Sequence, residues 1–239
     1  MRWHSTGDSG TTLVEVAVGL AVGSLLVAGI LVLMGQAQKS YMHSSEVTDL
    51  QQNVRVAMDR LVRVIQAAGV NPKNKPWGGA VPNNPAFTAF REAGRNCIRV
   101  YADLDGDGTV QQVEENVFFH WSTTAGAPLR ETRGPSGGID GGTVWVGATS
   151  GPDDLARDIV ANPGGVAMFQ YFTGVNDPLG APNTQLTPPG ASAATCASLT
   201  AAERERISRV VITLTGRATV GGETLTKTLT SVARPRNVP

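Results

Sequence analysis

Apolar and polar residues divide the chain into a helical N-terminal part and a β-rich remainder. Residues 13–34 are apolar except for Glu15 and the small polar Ser24. In a helix they extend about 33 Å, enough to cross a membrane core of roughly 30 Å. We therefore predict one membrane-spanning helix. Glu15 needs an explanation because a carboxylate inside a membrane is costly and usually functional.

The helical pattern continues beyond this apolar run. Apolar residues recur every three or four positions, while charged residues such as Arg55 and Asp59 lie mostly on the opposite face, which indicates an amphipathic helix. Gly69 and Pro72 are helix-ending residues. We predict one helix from about Thr12 to Ala68. Its second part carries an apolar stripe of Val47, Leu50, Val54, Ala57, Met58, Leu61, Val64, Ile65 and Ala68.

The rest of the chain alternates short β-like runs with Gly- and Pro-rich stretches. Gly221-Gly222 predicts a tight hairpin turn, and Thr200 with Glu203 predicts the capped start of a short helix. We predict an α+β fold in which one antiparallel sheet is covered by the second part of the long helix. The predicted strands are 97–102, 116–121, 166–172, 209–215 and 223–232, and the predicted surface loops are 123–152 and 174–194.

Charge and histidine content narrow the classes of function. The 239 residues contain 20 Lys plus Arg and 20 Asp plus Glu, so the net charge is zero and nucleic acid is not indicated as a partner. His4, His43 and His120 fall in three different predicted segments, so a histidine-based triad or zinc site is not expected. We find no nucleophile–base pair and predict that the protein is not an enzyme.

The two cysteines, Cys97 and Cys196, are far apart in sequence and form no C-x-x-C motif. Their spacing does not suit a metal site. In an oxidising compartment we expect one disulfide between them, and the alternative is two buried thiols.

Residues 103–114 fit the twelve-position formula of a calcium-binding loop. The expected oxygen ligands are Asp103, Asp105, Asp107, Thr109 and Glu114. The flanking residues look like strands rather than EF-hand helices, so we predict a β-hairpin whose connection binds Ca²⁺ structurally. The alternative is a solvated turn rich in aspartate and glycine.

The segment Gly10-Thr11-Thr12-Leu13-Val14-Glu15 resembles the type III signal of type IV prepilins and pseudopilins. The resemblance implies that a prepilin peptidase cleaves after Gly10 and N-methylates Thr11, where the family usually has Phe. It also implies that Glu15 pairs with the new amino group of a neighbouring subunit. A buried charge is tolerated when it is paired in this way.

Residues 51–69, which end in Ala68-Gly69, resemble the stem of PilW-like minor pilins, and Arg236-Asn237 is similar to the ending of that group. The resemblance implies a leader (1–10), a transmembrane and assembly half (11–34), an amphipathic stem (35–69) and a globular head (70–239). It further implies a single-pass inner-membrane protein with a periplasmic head that later joins the pilus at the cell surface. The expected partners are other major and minor pilins, the prepilin peptidase and the inner-membrane assembly machinery.

Two alternatives to a pilus-assembly role remain open. The J-type pseudopilins of type II secretion share much of this layout. A pilus-tip subunit that binds DNA or a host surface is a second alternative, for which a solvated helix end and tail is the simpler interpretation. The basic residues that would serve it are Arg204, Arg206, Arg209, Arg234 and Arg236.

Overall fold

The protein combines one long N-terminal helix with antiparallel β-sheets. The computed structural model describes residues 12–69, 89–102, 104, 115–122, 127–133, 153–174, 183–190 and 196–235. Its helices are α1 (Leu13–Ala67) and α2 (Ala201–Glu205). Its strands are β1 (Phe90–Ala93), β2 (Cys97–Tyr101), β3 (Asn116–Trp121), β4 (Leu129–Arg133), β5 (Asp153–Ala156), β6 (Ile159–Val160), β7 (Phe169–Thr173), β8 (Gln185–Leu186), β9 (Ile207–Val220) and β10 (Glu223–Ala233). The fold is therefore α+β, as the sequence predicts.

Helix α1 contains 55 residues and ends close to the predicted position. Gly69 has a φ of 81°, in the left-handed region that favours glycine and commonly terminates helices. Its N–H donates to the carbonyl of Tyr101 at 2.9 Å, so the end of α1 is hydrogen-bonded to β2.

The chain divides into two compact units within α1, Met1–Glu46 and Val47–Pro239. In the second unit, one face of α1 is buried, and Val47 at its edge is half-buried. The buried residues are Leu50, Val54, Ala57, Met58, Leu61, Val64 and Ile65. The predicted stripe is confirmed, and it belongs to the same hydrophobic cluster as the inner residues of both sheets.

The first sheet has the order β1-β2-β3-β4-β5, with every neighbouring pair antiparallel. Ile98 pairs with Phe119, and Val100 pairs with Val117; all four are fully buried in the core. Because side chains alternate along a strand, Arg99 lies on the opposite face of this sheet.

Arg99 is a fully buried charge on that opposite face, with a relative exposure of 1%. Its Nε lies 3.1 Å from Glu92 Oε1, and its guanidinium carbon lies 4.8 Å from the centre of the Phe118 ring. Burial lowers the pKa of Arg99 and raises the pKa of Glu92, and the charge of each partner opposes the shift in the other. Ion pairing and the aromatic contact make this burial tolerable.

The second sheet has the order β10-β9-β7-β8, and β6 also pairs with β9. The β9–β10 hairpin turns at Gly221 and Gly222, whose φ angles are 60° and 89°. Positive φ at both central residues is the requirement of a two-residue turn that matches strand twist. The predicted hairpin is confirmed, and β9 is longer than predicted.

Part of the strand prediction was wrong. The structure has two sheets instead of one, and the predicted loops 123–152 and 174–194 contain β4 and β8. Strands β1, β5 and β6 were not predicted. β4 was not predicted because its sequence, LRETR, contains only one apolar residue, and two of its three buried residues are a glutamate and a threonine. β8 has only two residues, too few for a pattern.

Candidate functional site

Helix α1 begins in a capping box formed by Thr12 and Glu15. The Thr12 backbone N–H and hydroxyl donate to Glu15 Oε2 at 3.0 and 3.3 Å, and the Glu15 N–H donates to the Thr12 hydroxyl oxygen at 3.3 Å. This reciprocal arrangement satisfies backbone donors that a helix start otherwise leaves unpaired. The carboxylate also interacts favourably with the positive end of the helix dipole. Glu15 therefore has a partner within its own chain.

The sequence contains this signal as Thr-x-x-Glu, the same pattern that predicts the start of α2 at Thr200 and Glu203. From the sequence, Glu15 is assigned only an intermolecular role, whereas the structure adds this local role with Thr12. Gly10 and Thr11, the proposed cleavage and methylation positions, lie outside the described residues.

The apolar part of α1, from Leu13 to Met34, exposes its large side chains. Leu13 is 85% exposed, Leu25 is 73% exposed and Leu31 is 63% exposed. By length and composition, α1 is able to cross a membrane. Glu15 is the only charged residue in this part, so the surface that requires a cover is almost purely apolar.

The second part of α1 packs closely against β9 at Gly216. A Cβ atom at this position would lie 2.6 Å from Val54 Cγ2 and 2.7 Å from Leu50 Cδ1. Only glycine leaves room for the helix at this distance from the strand. The sequence prediction missed Gly216, because a glycine inside a strand shows no pattern until its neighbour across the fold is known.

A three-residue charge cluster also fastens α1 to the first sheet. Arg60 Nε and Nη2 donate to the two oxygens of Glu131 at 2.9 and 2.7 Å, and Arg133 Nε donates to Glu131 Oε1 at 2.9 Å. Burial would raise the pKa of Glu131, but hydrogen bonds and charges from both arginines outweigh it, so its pKa is lowered. Bidentate pairing of this kind is strong and geometrically specific.

Cys97 and Cys196 form a disulfide with a Cα–Cα distance of 5.8 Å. Gly94 lies against it, since a Cβ there would meet Cys97 Sγ at 2.5 Å and Cys196 Sγ at 3.0 Å. The hydroxyl of Tyr171, on β7 of the other sheet, donates to the Gly94 carbonyl at 2.8 Å. Complete burial raises the pKa of Tyr171 well above its usual value.

A further bond lies next to the disulfide, where Ser198 Oγ accepts from the Ala93 N–H at 2.8 Å. The Tyr171 bond connects the second sheet to the turn after β1, and the disulfide and the Ser198 bond connect the first sheet to the segment before α2.

The acidic loop lies almost entirely outside the described residues, including all five expected ligands, Asp103, Asp105, Asp107, Thr109 and Glu114. The residues on either side of it, Ala102 and Glu115, are described together with Leu104, and buried Glu115 bonds to both Ala102 and Leu104. The Leu104 N–H donates to Glu115 Oε1 at 2.8 Å, and the Ala102 N–H donates to the Glu115 carbonyl at 3.1 Å. The flanks are β2 and β3, so the predicted hairpin that carries the loop is confirmed. No cluster of metal-binding side chains occurs among the residues that the structure describes.

Two of the basic residues considered for nucleic-acid binding serve internal contacts. Arg204 Nη1 donates to the Leu199 carbonyl at 2.6 Å, close to the Thr200 cap of α2. The guanidinium carbon of Arg209 lies 4.4 Å from the centre of the Phe172 ring. Arg234 is exposed, and Arg236 lies outside the described residues.

A cavity of about 340 Å³ lies beside the turn between β1 and β2. Three of its polar side chains are bonded within the fold. Arg95 Nη2 donates to the Gly165 carbonyl at 2.9 Å, Trp121 Nε1 to the Ala127 carbonyl at 3.1 Å, and Asn162 Nδ2 to the Thr213 carbonyl at 2.9 Å. His120, which does not line the cavity, stacks on Phe118 with 5.3 Å between the two ring centres. Burial is the main cause that lowers the pKa of His120, and the charge of Arg130 lowers it further. Arg95, Trp121 and Asn162 stabilise the walls of the cavity and form no nucleophile–base pair among themselves.

No protein-family model, curated protein or solved structure matches the chain.

Proposed function

We propose that this protein is a PilW-like minor pilin of a type IV pilus, inserted in the inner membrane and assembled into the pilus after leader cleavage. The observation that carries the proposal is the start of α1. There, one carboxylate, Glu15, is the last residue of the prepilin-like signal and precedes a run of exposed apolar side chains. A helix with this surface needs either lipid or other apolar helices around it. A pilin meets both surroundings in turn.

Processing prepares the assembly contact. Cleavage after Gly10 by the prepilin peptidase creates a positively charged amino group on Thr11, and N-methylation follows. In the filament this amino group pairs with Glu15 of a neighbouring subunit. Both hydrogen bonds from Thr12 use Glu15 Oε2. Oε1 can therefore accept from the neighbour while the helix cap persists. Assembly thus depends on prior processing, because the amino group exists only after cleavage.

The head lies in the periplasm before assembly and on the pilus at the cell surface afterwards. Other major and minor pilins contact α1, and the inner-membrane assembly machinery receives the processed subunit. A J-type pseudopilin of type II secretion would use the same contacts. Detection of the protein in sheared pili supports the pilus assignment, and its absence from pili in a strain with active secretion supports the secretion assignment.

The proposal is tested by the substitution Glu15→Val. It should leave the protein membrane-inserted and processed but reduce its incorporation into pili by at least about tenfold, because the neighbour's amino group loses its buried partner. Glu46→Val, a matched change at an exposed position of α1, should incorporate normally. Immunoblots of sheared pili and membranes measure both quantities. Normal incorporation of the Glu15→Val protein refutes the pairing role.

We also propose that the loop 103–114 binds one structural calcium ion through Asp103, Asp105, Asp107, Thr109 and Glu114. Three nearby aspartates repel one another, and a hard cation bound among them relieves that repulsion. Hydrogen bonds from Leu104 and Ala102 to Glu115 join the described residues at the two flanks of this loop.

Calcium should raise the melting temperature of the head, and Asp103→Ala combined with Asp105→Ala should abolish that rise. Asp153→Ala, an exposed acidic residue of β5, serves as the control and should retain it. A wild-type melting temperature that is independent of calcium would identify the loop as a simple turn.

A further inference from the structure

Strand β10 forms one edge of the second sheet. All eleven of its residues, Glu223 to Ala233, pair with β9 in an unbroken register. Among the described residues, no strand pairs with the other side of β10. The strand has no bulge and no proline, two of the features that prevent a further strand from adding to an edge, and Lys227 is the charged side chain in its middle.

The register identifies which backbone groups point away from β9. Val220 and Glu223 flank the two-residue turn and form a hydrogen-bonded pair, and such pairs alternate along an antiparallel ladder. In agreement, the N–H groups of Thr213 and Arg217 bond away from β10, to the carbonyls of Met168 and Asp158. The residues of β10 whose N–H and C=O groups face outward are therefore Thr224, Thr226, Thr228, Thr230 and Val232.

The side chains of these five residues lie on one face of the sheet, next to the side chains of their partners in β9. Thr228 and Thr215 are hydrogen-bonded through their hydroxyl groups at 2.9 Å, and Thr230 and Thr213 at 3.4 Å. Cross-strand threonine pairs stabilise a sheet and hold its strands in register. The outer edge of β10 is thus ordered before a partner arrives, which lowers the entropy lost on binding.

Lys227 is the one charged residue between Thr224 and Val232, and it lies on the opposite face with Leu225 and Leu229. Because its backbone groups bond to β9, it would form a non-hydrogen-bonded pair with an added strand, where opposing Cα atoms are only about 4.5 Å apart. In a pair of identical copies centred on Lys227, two ammonium groups would face each other. A carboxylate in the added strand is favourable there instead.

We propose that the outer edge of β10 binds an extended acidic segment of a different protein chain by strand addition, with a carboxylate opposite Lys227. Backbone hydrogen bonds to the threonine-rich edge supply the affinity, and Lys227 supplies the preference for an acidic sequence. This surface lies wholly in the unit Val47–Pro239 and does not depend on the proposed pilus function.

The test uses full-length protein in detergent and a fluorescent nine-residue peptide in which valine and threonine alternate around a central glutamate. Fluorescence anisotropy should show binding of this peptide. A peptide with central lysine should bind about three- to tenfold more weakly. The acidic peptide with N-methyl groups on alternate residues should not bind. Lys227→Glu should reverse the preference between the acidic and basic peptides.

The edge itself is tested by Thr228→Pro. Proline removes an N–H that faces outward, which an edge strand tolerates, so the melting temperature should change little while peptide binding is lost. Thr228→Val keeps the N–H and the branched shape and loses only the hydroxyl bond to Thr215, so it should still bind the peptide, within about threefold of wild type. Leu229→Pro removes an N–H bonded to β9 and should lower the melting temperature.

Three results would overturn the proposal. The first is undiminished peptide binding by Thr228→Pro. The second is no binding of the acidic peptide to wild type at about 1 mM, the weak end of measurable affinity. The third is a wild-type dimer that Thr228→Pro converts to monomer, which would assign the edge to a second copy of this chain.

Discussion

The two parts of α1 present the same kind of side chain in opposite surroundings. Leu26, in the unit Met1–Glu46, is 65% exposed, whereas Leu61, in the unit Val47–Pro239, is 0% exposed. Burial of a leucine contributes about 1.5–3 kcal/mol, so the surroundings decide whether that contribution is realised within the chain. The head covers the second part of α1. The large apolar side chains of the first part are exposed.

The charges agree with this division. The second part of α1 has charged residues such as Arg55 and Asp59 on its exposed face, and it uses Arg60 to bind Glu131. The first part has only Glu15 between Leu13 and Met34, and that carboxylate caps the helix. One helix therefore joins a segment whose apolar face is buried in the head to a segment whose apolar side chains are exposed.

Among the substitutions that test this difference between the two parts of α1, Leu61→Ala should have the largest effect on the free energy of unfolding. The side chain is fully buried, so its truncation leaves a cavity and should lower the free energy of unfolding of the head by about 2–5 kcal/mol. Chemical denaturation followed by tryptophan fluorescence measures this quantity. Leu26→Ala, the matched change in the exposed part, should alter it by less than about 0.5 kcal/mol. Equal effects of the two substitutions would contradict the division of α1.

A smaller effect is expected for Glu131→Gln, which removes the charge that Arg60 and Arg133 share. Hydrogen bonds to charged groups contribute about 1.5–3 kcal/mol, and the unfolding free energy near pH 7 should fall by that amount. Asp154→Asn, at the more exposed pair with Arg130, should lower it by no more than about 1 kcal/mol.

The Glu131 effect should also depend on pH. Because its pKa is lower in the folded protein, the carboxylate stabilises the head fully above the unfolded pKa of about 4.3. This contribution disappears as pH falls through the folded pKa. The difference between wild type and Glu131→Gln should therefore be constant near neutral pH and shrink below about pH 4. A difference that grows on acidification would contradict the lowered pKa.

The smallest effect is expected for Gly216→Ala. The added methyl group would overlap Val54, whose branched side chain has little freedom, while the end of Leu50 can move aside. We expect a loss of about 1–2 kcal/mol in the unfolding free energy. Val54→Ala should relieve part of this loss, so the double variant should be more stable than the sum of the single changes predicts. Simple additivity would argue against a direct contact.

Features with a local signal were predictable from the sequence. The stripe from Leu50 to Ala68 follows the helical period, Gly69 ends α1, and Gly221-Gly222 forms the hairpin turn. The capping pattern at Thr200 was recognised, whereas the same pattern at Thr12 was overlooked. These signals depend on residues within a few positions of one another, which is the range that a single sequence reports.

Features that depend on distant partners were not predictable. Arg60 and Glu131 are 71 positions apart, and neither residue indicates the other. β4 lies in a polar stretch and is nevertheless an interior strand of the first sheet, where its buried Glu131 pairs with two arginines. In the sequence, Gly216 indicates only a less stable position within β9. Its role is visible only in the fold, where Leu50 and Val54 pack against it. The sequence predicts one sheet where the structure has two, because the pairing of strands depends on contacts between residues that are distant in the sequence.

The bond between Gly69 and Tyr101 has a mechanical consequence. The buried face of the helix, the Arg60–Glu131 pair and this last hydrogen bond all lie before the residues that follow Gly69. A force applied along α1 is therefore transmitted to the sheets before it loads those residues. Tension is thereby spread over many non-covalent contacts in parallel. The head should resist extraction from the helix at forces that would straighten an unpacked connection of the same length.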